Sequence, residues 1–331
     1  SFDQAELARE LRGLFPSSPV VGCSTAGEIV SGHMLKGSVV VMTIGRDVIA
    51  ETAVEVVEKV GTENRIPQAL GNFEKRFGVT MSAMDPSQYI GLILIDGLSG
   101  AEERLMDKLG DLTNVFFVGG SAGDDLKFKN TFVCSDGKAY EDAAILVLMK
   151  PAAKFDIIKT QSFVDLGKTL TATKVDTSSR KVLEFNGKPA VETYAEALGV
   201  RPEELEERFM TNPLGLMVEG EPFVRSPQKT DGTSIVFYCN ILEGMELNVL
   251  ESTDIVKDTK AVIDKKADEL GDLLGIINFH CILRTLELER KGQDAAYGKV
   301  FERIPTIGFS TYGEEYLGHI NQTSTMIVFY R

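Results

Sequence analysis

Three times in this chain an apolar stretch runs into a Gly-x-Ser step and then a Gly-acid pair: Gly22-Cys23-Ser24-Thr25-Ala26-Gly27-Glu28, Gly119-Gly120-Ser121-Ala122-Gly123-Asp124 and Gly308-Phe309-Ser310-Thr311-Tyr312-Gly313-Glu314. Each copy follows a strand-like segment (Pro19–Val21, Val115–Val118, Pro305–Ile307) and precedes another (Val39–Ile44, Ala144–Leu148, Met326–Tyr330). The pattern asks for strands joined by glycine-bearing loops, and so for sheets whose strand ends carry polar groups. Glycine lets the backbone turn and approach a neighbour closely, hydroxyls donate and accept, and a carboxylate can fix a cation or a hydroxyl rotor. One such step reads as a chain reversal. Three that share both features point to internal duplication or to one polar pocket assembled from several strands.

A chain of 331 residues with 43% hydrophobic content is long enough for two domains with cores. Its 35 basic and 49 acidic side chains give a net charge of −14, a field that repels nucleic acid and anionic lipid, so the expected partners are proteins or small molecules. No apolar run approaches the roughly 18 residues of a membrane span, and the N-terminus lacks a signal-peptide pattern, so a cytoplasmic protein is expected. Ser1 in place of a methionine suggests a trimmed chain. Cys23, Cys134, Cys239 and Cys281 lie far apart beside apolar sequence and read as buried free thiols. His33, His280 and His319 are the histidines, and no Cys/His spacing suits a zinc site.

Periodicity predicts a helix over residues 3–15, strands over 37–45 and 47–58, a helix near 66–77, a strand over Tyr89–Ile95, a helix over Ala101–Leu109 and a strand over Asn114–Val118. Between 130 and 176 short strands joined by turns predict an antiparallel meander. The polar stretch Asp176–Arg180 is the expected boundary between an N-terminal lobe, 1–179, and a C-terminal lobe, 180–331. Beyond it come a strand over Lys181–Phe185, helices over Ala190–Leu198 and Pro202–Arg208, and strands near Leu214–Val218 and Ser234–Tyr238. A helix capped by Thr253 or Asp254 then runs to Leu270, followed by a strand over Leu273–Phe279, a helix from Cys281 to Arg290 and two closing strands. The fold class read from this order is mixed α/β (α+β): two packed lobes with mixed sheets flanked by helices.

Gly119, Ser121 and Gly123 satisfy the G-x-S-x-G spacing of a serine hydrolase, with His280 or His319 available as base. The residues after Gly123 show no helical stripe, and the sibling segments break the spacing while keeping the serine, which argues against that reading. Cys281 stands where an apolar strand meets a helix start, either as a small buried residue or as a thiol of lowered pKa. Arg284, one turn further on, suits a ligand carboxylate or an internal pairing with Glu28, Asp124 or Glu314. Alternation puts His319, Asn321 and Thr323 on one face, just downstream of Ser310 and Thr311. His33, after Gly32, reads as a surface residue.

Taken together, Val20–Ile29, Val118–Asp124, Phe185–Ala190, Asn278–Arg284, Gly308–Glu314 and Asn321–Thr323 resemble the FIST (F-box and intracellular signal transduction) sensory family over nearly the whole chain, with an N-terminal and a C-terminal FIST part. The resemblance implies a non-enzymatic sensory input module that binds a small metabolite such as an amino acid. It would pass the signal to a chemoreceptor, a histidine kinase or a cyclic-dinucleotide enzyme, either as a stand-alone sensor or as an input domain. The pocket expected from it draws on Ser24, Thr25, Glu28, Ser121, Asp124, Cys281, Arg284, Ser310, Thr311, Tyr312, Glu314, Asn321 and Thr323, and no cofactor is expected. The alternative comes from a bacterial branch described as haem-based nitric oxide sensing, for which His280 and then His319 would be the axial ligands.

Overall fold

The computed structural model describes residues 2–331, which form a mixed α+β fold of several sheets. They divide into two compact units. The first comprises residues up to Lys159, Lys260–His319 and Ser324–Arg331; the second comprises Thr160–Thr259 and Ile320–Thr323. The polar stretch expected as a lobe boundary is a 3-10 turn, Thr177–Ser179, joining two paired strands of the second unit.

The first unit is built on two six-stranded sheets. One runs in the order Lys154–Thr160, Ser324–Tyr330, Leu273–Cys281, Thr306–Thr311, Glu28–Val30, His33–Leu35, and the other in the order His319–Ile320, Glu314–Glu315, Phe117–Ser121, Ile90–Ile95, Ala143–Pro151, Ile49–Glu58. Both are mixed, with parallel pairs at their centres: Leu273–Cys281 beside Thr306–Thr311, and Ile90–Ile95 beside Phe117–Ser121. The strand Ile90–Ile95 is buried throughout, and its alternation divides it between two cores. Ile90, Leu92 and Leu94 join Phe279, Phe309, Ile327 and Phe329 of the facing sheet. Ile93 and Ile95 turn to the helices Ile66–Phe77 and Glu102–Leu112 through Leu70, Phe73, Leu105 and Leu109. Helices Ile282–Arg290 and Asp294–Lys299 lie on the other face of the first sheet, where Thr285 meets Ser310 and Tyr297 meets Asn278. The layering is helix, sheet, sheet, helix.

Local signals set the element ends. Asp3 accepts from the Glu6 N–H at the start of Gln4–Leu14, Gly78 closes Ile66–Phe77 with φ 70°, and Asp254 accepts from the Lys257 N–H ahead of Ile255–Leu270. The second unit carries one antiparallel sheet, in the order Glu221–Arg225, Leu214–Val218, Glu246–Ser252, Phe163–Asp176, Lys181–Phe185, Ser234–Phe237, Pro227–Asp231. Its core packs Phe185, Phe237 and Leu247 around Tyr194 and Phe209, whose rings stack at 6.1 Å.

Three expectations change. Residues 37–45 run without sheet pairing, leaving Val39 and Val41 exposed: strand propensity is present, but the hairpin of Glu28–Val30 with His33–Leu35 occupies that edge instead. The expected meander is split, with Ala143–Pro151 in one six-stranded sheet, Lys154–Thr160 in the other and Phe163–Asp176 in the second unit's sheet. Finally, Gly119 to Ser121 and Gly308 to Ser310 lie inside strands, not in the loops after them.

Candidate functional site

The three glycine-serine segments bond to one another. Ser310 N–H donates to Gly27 O (2.8 Å) and Ala26 N–H to Ser310 O (3.1 Å), joining the first segment to the third. Ser121 N–H donates to Gly313 O (2.9 Å), Tyr312 N–H to Ser121 O (3.1 Å) and Gly123 N–H to Ser24 O (3.0 Å), which ties in the second. The first and third copies are also alike in detail. Thr25 Oγ1 donates to Glu28 and Thr311 Oγ1 donates to Glu314, each over 2.5 Å and three residues. Ser38 adds a second hydroxyl bond to Glu28 at 2.6 Å.

Where they meet, the interior is polar. Glu314 and Glu315 are both 0% exposed, and the Ser121 hydroxyl, itself buried, donates to the buried Glu102 at 3.2 Å. Glu315 pairs with His319 Nδ1 at 3.1 Å, and its Oε2 has no hydrogen-bond partner. Burial lowers the His319 pKa, but Glu315, Glu102 and Glu103 outweigh it and raise the imidazole to about 9. Burial raises the Glu315 carboxyl, with His319 pulling it down and Glu102 and Glu103 adding to the rise. The pair therefore holds one proton at neutral pH, surrounded by further carboxylates. Gly313 makes room for the ring: a Cβ there would lie 2.0 Å from His319 Cε1.

A second polar patch covers the helix-facing side of the central strands. Register puts His280 opposite Ser310 and Ser324, and Asn278 opposite Gly308 and Met326. Ser324 Oγ donates to Asn278 Oδ1 (2.6 Å), Asn278 Nδ2 donates to the Tyr297 hydroxyl (3.3 Å), and Thr285 and Ser310 share a hydroxyl bond of 2.7 Å. His280 is 0% exposed and lies on the Tyr297 ring at 4.5 Å, with neither ring nitrogen hydrogen-bonded. A buried polar atom left so costs about 1–3 kcal/mol. Burial, and then the Arg284 guanidinium, push its pKa well below the ordinary value, so the ring is neutral. Arg284 is 1% exposed, the largest of the fully buried side chains.

Of the other expected site residues, Ser24, Asp124 and Tyr312 have polar atoms engaged in holding loops. Ser24 Oγ accepts the Phe132 N–H (2.9 Å). Asp124 accepts the Tyr312 hydroxyl and the N–H groups of Phe128, Lys129 and Asn130; burial would raise its pKa, and these donors hold it below the usual carboxylate range. Cys281 is the buried N-cap of Ile282–Arg290. Asn321 and Thr323 are buried in the second unit, where Gln322 accepts from Ser226 Oγ and donates to Met210 O, each at 2.8 Å. His33 is exposed. All four cysteines are free thiols, Cys239 and Cys281 buried and Cys23 and Cys134 half-buried.

Ser121 bonds to Glu102 rather than to a histidine, which leaves the hydrolase arrangement without its base. The haem alternative finds no suitable wall either: His280 is flanked by Tyr297 and the Arg284 charge, and His319 is held by Glu315 against Gly313, so these residues do not fit the group. Sequence reasoning missed Glu102, Glu315, Thr285, Asn278, Tyr297 and Ser324. Asn278 did leave a trace, as a polar break in the apolar run Ile276-Ile277-Asn278-Phe279.

No helix among the described residues is long and apolar enough to cross a membrane. Residues 1–188 match the FIST N domain and residues 190–316 the FIST C domain. The chain is also similar to a Methanocaldococcus jannaschii protein named "Uncharacterized protein MJ1623", with 25% identity over 289 residues, 80% of this chain and 54% of that one. It thus spans about half the length of this relative. With both family domains matched in order along the chain, the protein belongs to the FIST family of sensory signal-transduction domains.

Proposed function

We propose that the chain is a cytoplasmic, non-enzymatic sensor of a small amino-acid-like metabolite. The observation that carries this reading is the meeting of three glycine-serine segments beside buried groups of opposite charge: Glu314 and Glu315 on a short strand, Glu102 at the start of the helix Glu102–Leu112, and Arg284 on the helix Ile282–Arg290. The carboxylates hold the ligand's ammonium group, Arg284 its acid group, and the hydroxyls of Ser310, Thr311 and Thr25 set its orientation. Ser24, Glu28, Ser121, Asp124, Cys281 and Tyr312 support these contacts. Signalling requires that ligand binding favour one arrangement of the protein over another, because only differential affinity moves such an equilibrium. The output is a partner of the chemoreceptor, histidine-kinase or cyclic-dinucleotide class.

Thermal-shift measurements against amino acids and simple amines test the reading. A ligand at a hundred times its Kd stabilises the folded chain by about 2.7 kcal/mol. A clear rise in Tm with one class of compound, reduced in Glu314→Gln, is the expected result. An unchanged Tm across the whole panel refutes the amino-acid reading.

A further inference from the structure

We propose that an apolar strand joined to the start of the helix Gln4–Leu14 adds to the first unit between Val21–Cys23 and residues 38–44, parallel to the former and antiparallel to the latter. The inference stands apart from the sensory reading and rests on an internal repeat. Residues 22–44 align with residues 308–330 without a gap, which sets Gly32-His33 on Gly318-His319, Ser38 on Ser324, and the unpaired run 38–44 on the paired strand Ser324–Tyr330. The middle copy has the same order: the strand Phe117–Ser121, the hairpin of Val133–Ser135 with Lys138–Tyr140, then the strand Ala143–Pro151. The glycine-serine strand of each copy pairs with the hairpin of another. Thr306–Thr311 takes Glu28–Val30, Phe117–Ser121 takes Glu314–Glu315, and Val21–Cys23 takes Val133–Ser135.

On its other side, Phe117–Ser121 has the parallel neighbour Ile90–Ile95, and Thr306–Thr311 has Leu273–Cys281. Each neighbour is flanked in turn, antiparallel, by the last strand of its own copy, Ala143–Pro151 or Ser324–Tyr330. Each also leads through a helix to the glycine-serine strand beside it: Ile90–Ile95 through Glu102–Leu112, and Leu273–Cys281 through Ile282–Arg290. In the first copy the helix Gln4–Leu14 leads to Val21–Cys23, which is the edge of its sheet, and 38–44 runs without sheet pairing. Exposure along that run still alternates as in a strand, with Val39 and Val41 exposed and Ser38, Val40 and Met42 half-buried. One strand, entering the helix from its N-terminal end, restores in the first copy the order found in the other two.

The glycines mark its place. A Cβ on Gly119 or Gly308 would strike the carbonyl of the residue opposite it in the parallel neighbour, Ile93 or Asn278, whereas within this chain nothing lies within 4 Å of one on Gly22. The added strand brings its own carbonyl to Gly22. Two residues further on it sets a side chain opposite Ser24, as Ile95 lies opposite Ser121 and His280 opposite Ser310, and so contributes to the polar interior at the strand ends. Its residues are apolar, because the corresponding strand Ile90–Ile95 is buried throughout.

The test extends the full chain, ahead of Ser1, with a copy of its own residues 89–101, which carry a strand and its connection to a helix; the control carries a Gly/Ser segment of the same length. The copied strand should raise Tm above the control and slow hydrogen exchange by more than about tenfold at alternate backbone N–H groups of residues 39–43. Gly22→Ala should abolish both gains in the extended chain while leaving the control's Tm nearly unchanged. Equal Tm and equal exchange in the two extended chains overturn the proposal, as does a gain that survives Gly22→Ala, since the strand then lies elsewhere. Protection of residues 39–43 that appears in the control and grows with protein concentration, together with a dimer in sedimentation, also overturns it, because a second copy then takes the position.

Discussion

Alanine at Gly308 should destabilise the protein severely, whereas alanine at Gly22, the same position of the same motif, should not. A Cβ on Gly308 would lie 2.3 Å from Asn278 O and 2.8 Å from Asn278 Cβ on the parallel neighbour, at least about 0.7 Å inside the nearest approach that real Cβ atoms make. The obstacle is backbone, so no rotamer change relieves it, and the strands Leu273–Cys281 and Thr306–Thr311 must separate at the centre of their sheet. Overpacking of this kind costs about 1–3 kcal/mol, and each weakened ladder hydrogen bond adds about 0.5–1.5, for a total of about 3–5 kcal/mol. Gly119 is tighter still, with Ile93 O at 1.7 Å from the added carbon, and should be at least as sensitive. Around Gly22 nothing lies within 4 Å, so its alanine variant should stay within about 0.5 kcal/mol of the parent. Urea unfolding followed by circular dichroism, since the chain has no Trp, gives the comparison from midpoints at unchanged slope. Equal loss in Gly22→Ala and Gly308→Ala would refute the reasoning, because it would make the glycines necessary as turns rather than as close-approach sites.

The His319–Glu315 pair should make stability depend on alkaline pH. The folded pKa of His319, about 9, lies above its ordinary 6.5, so its contribution is whole below pH 6.5 and is lost as pH rises through 9. The loss amounts to at most about 3 kcal/mol, because the burial that raises Glu315 works against it. Glu315→Gln should flatten the Tm-versus-pH curve over that range, and a parent curve already flat there would contradict the pairing. His280 has the opposite sign: with its folded pKa depressed, it withdraws stability as pH falls below about 6.5. Tyr297→Phe removes the hydroxyl shared with Ser324 and Asn278 and should cost about 1–3 kcal/mol in chemical denaturation. Gly110→Ala, in the helix Glu102–Leu112 with nothing within 4 Å, should instead add roughly 0.5–1 kcal/mol.

What could be read in advance divides along the range of the interactions involved. The helix Ile66–Phe77 and the strand Ile90–Ile95 emerged from their periodicity, and the free state of the thiols from their apolar surroundings. The segment 37–45 did not behave as its valines suggest, because propensity supplies a strand only where a neighbour supplies hydrogen-bond partners. The same limit applies within the site. Thr25 with Glu28 and Thr311 with Glu314 are three residues apart and were visible as a repeated pattern. Glu102 with Ser121, and Tyr297 with Asn278 and Ser324, join positions 19 or more residues apart and left no local mark.

By itself the amino-acid order determined that three stretches would be strand-like, glycine-bearing and edged with hydroxyls and acids, since those properties belong to each residue and its immediate neighbours. Only the tertiary structure decided that two of the three Gly-x-Ser steps lie within strands, that Gly308 and Gly119 exist to admit a neighbouring carbonyl while Gly22 does not, and that Arg284 and His280 end up buried side by side. The physical reason is that close approach and burial depend on what another part of the chain brings to the same place, which spacing along one segment does not encode.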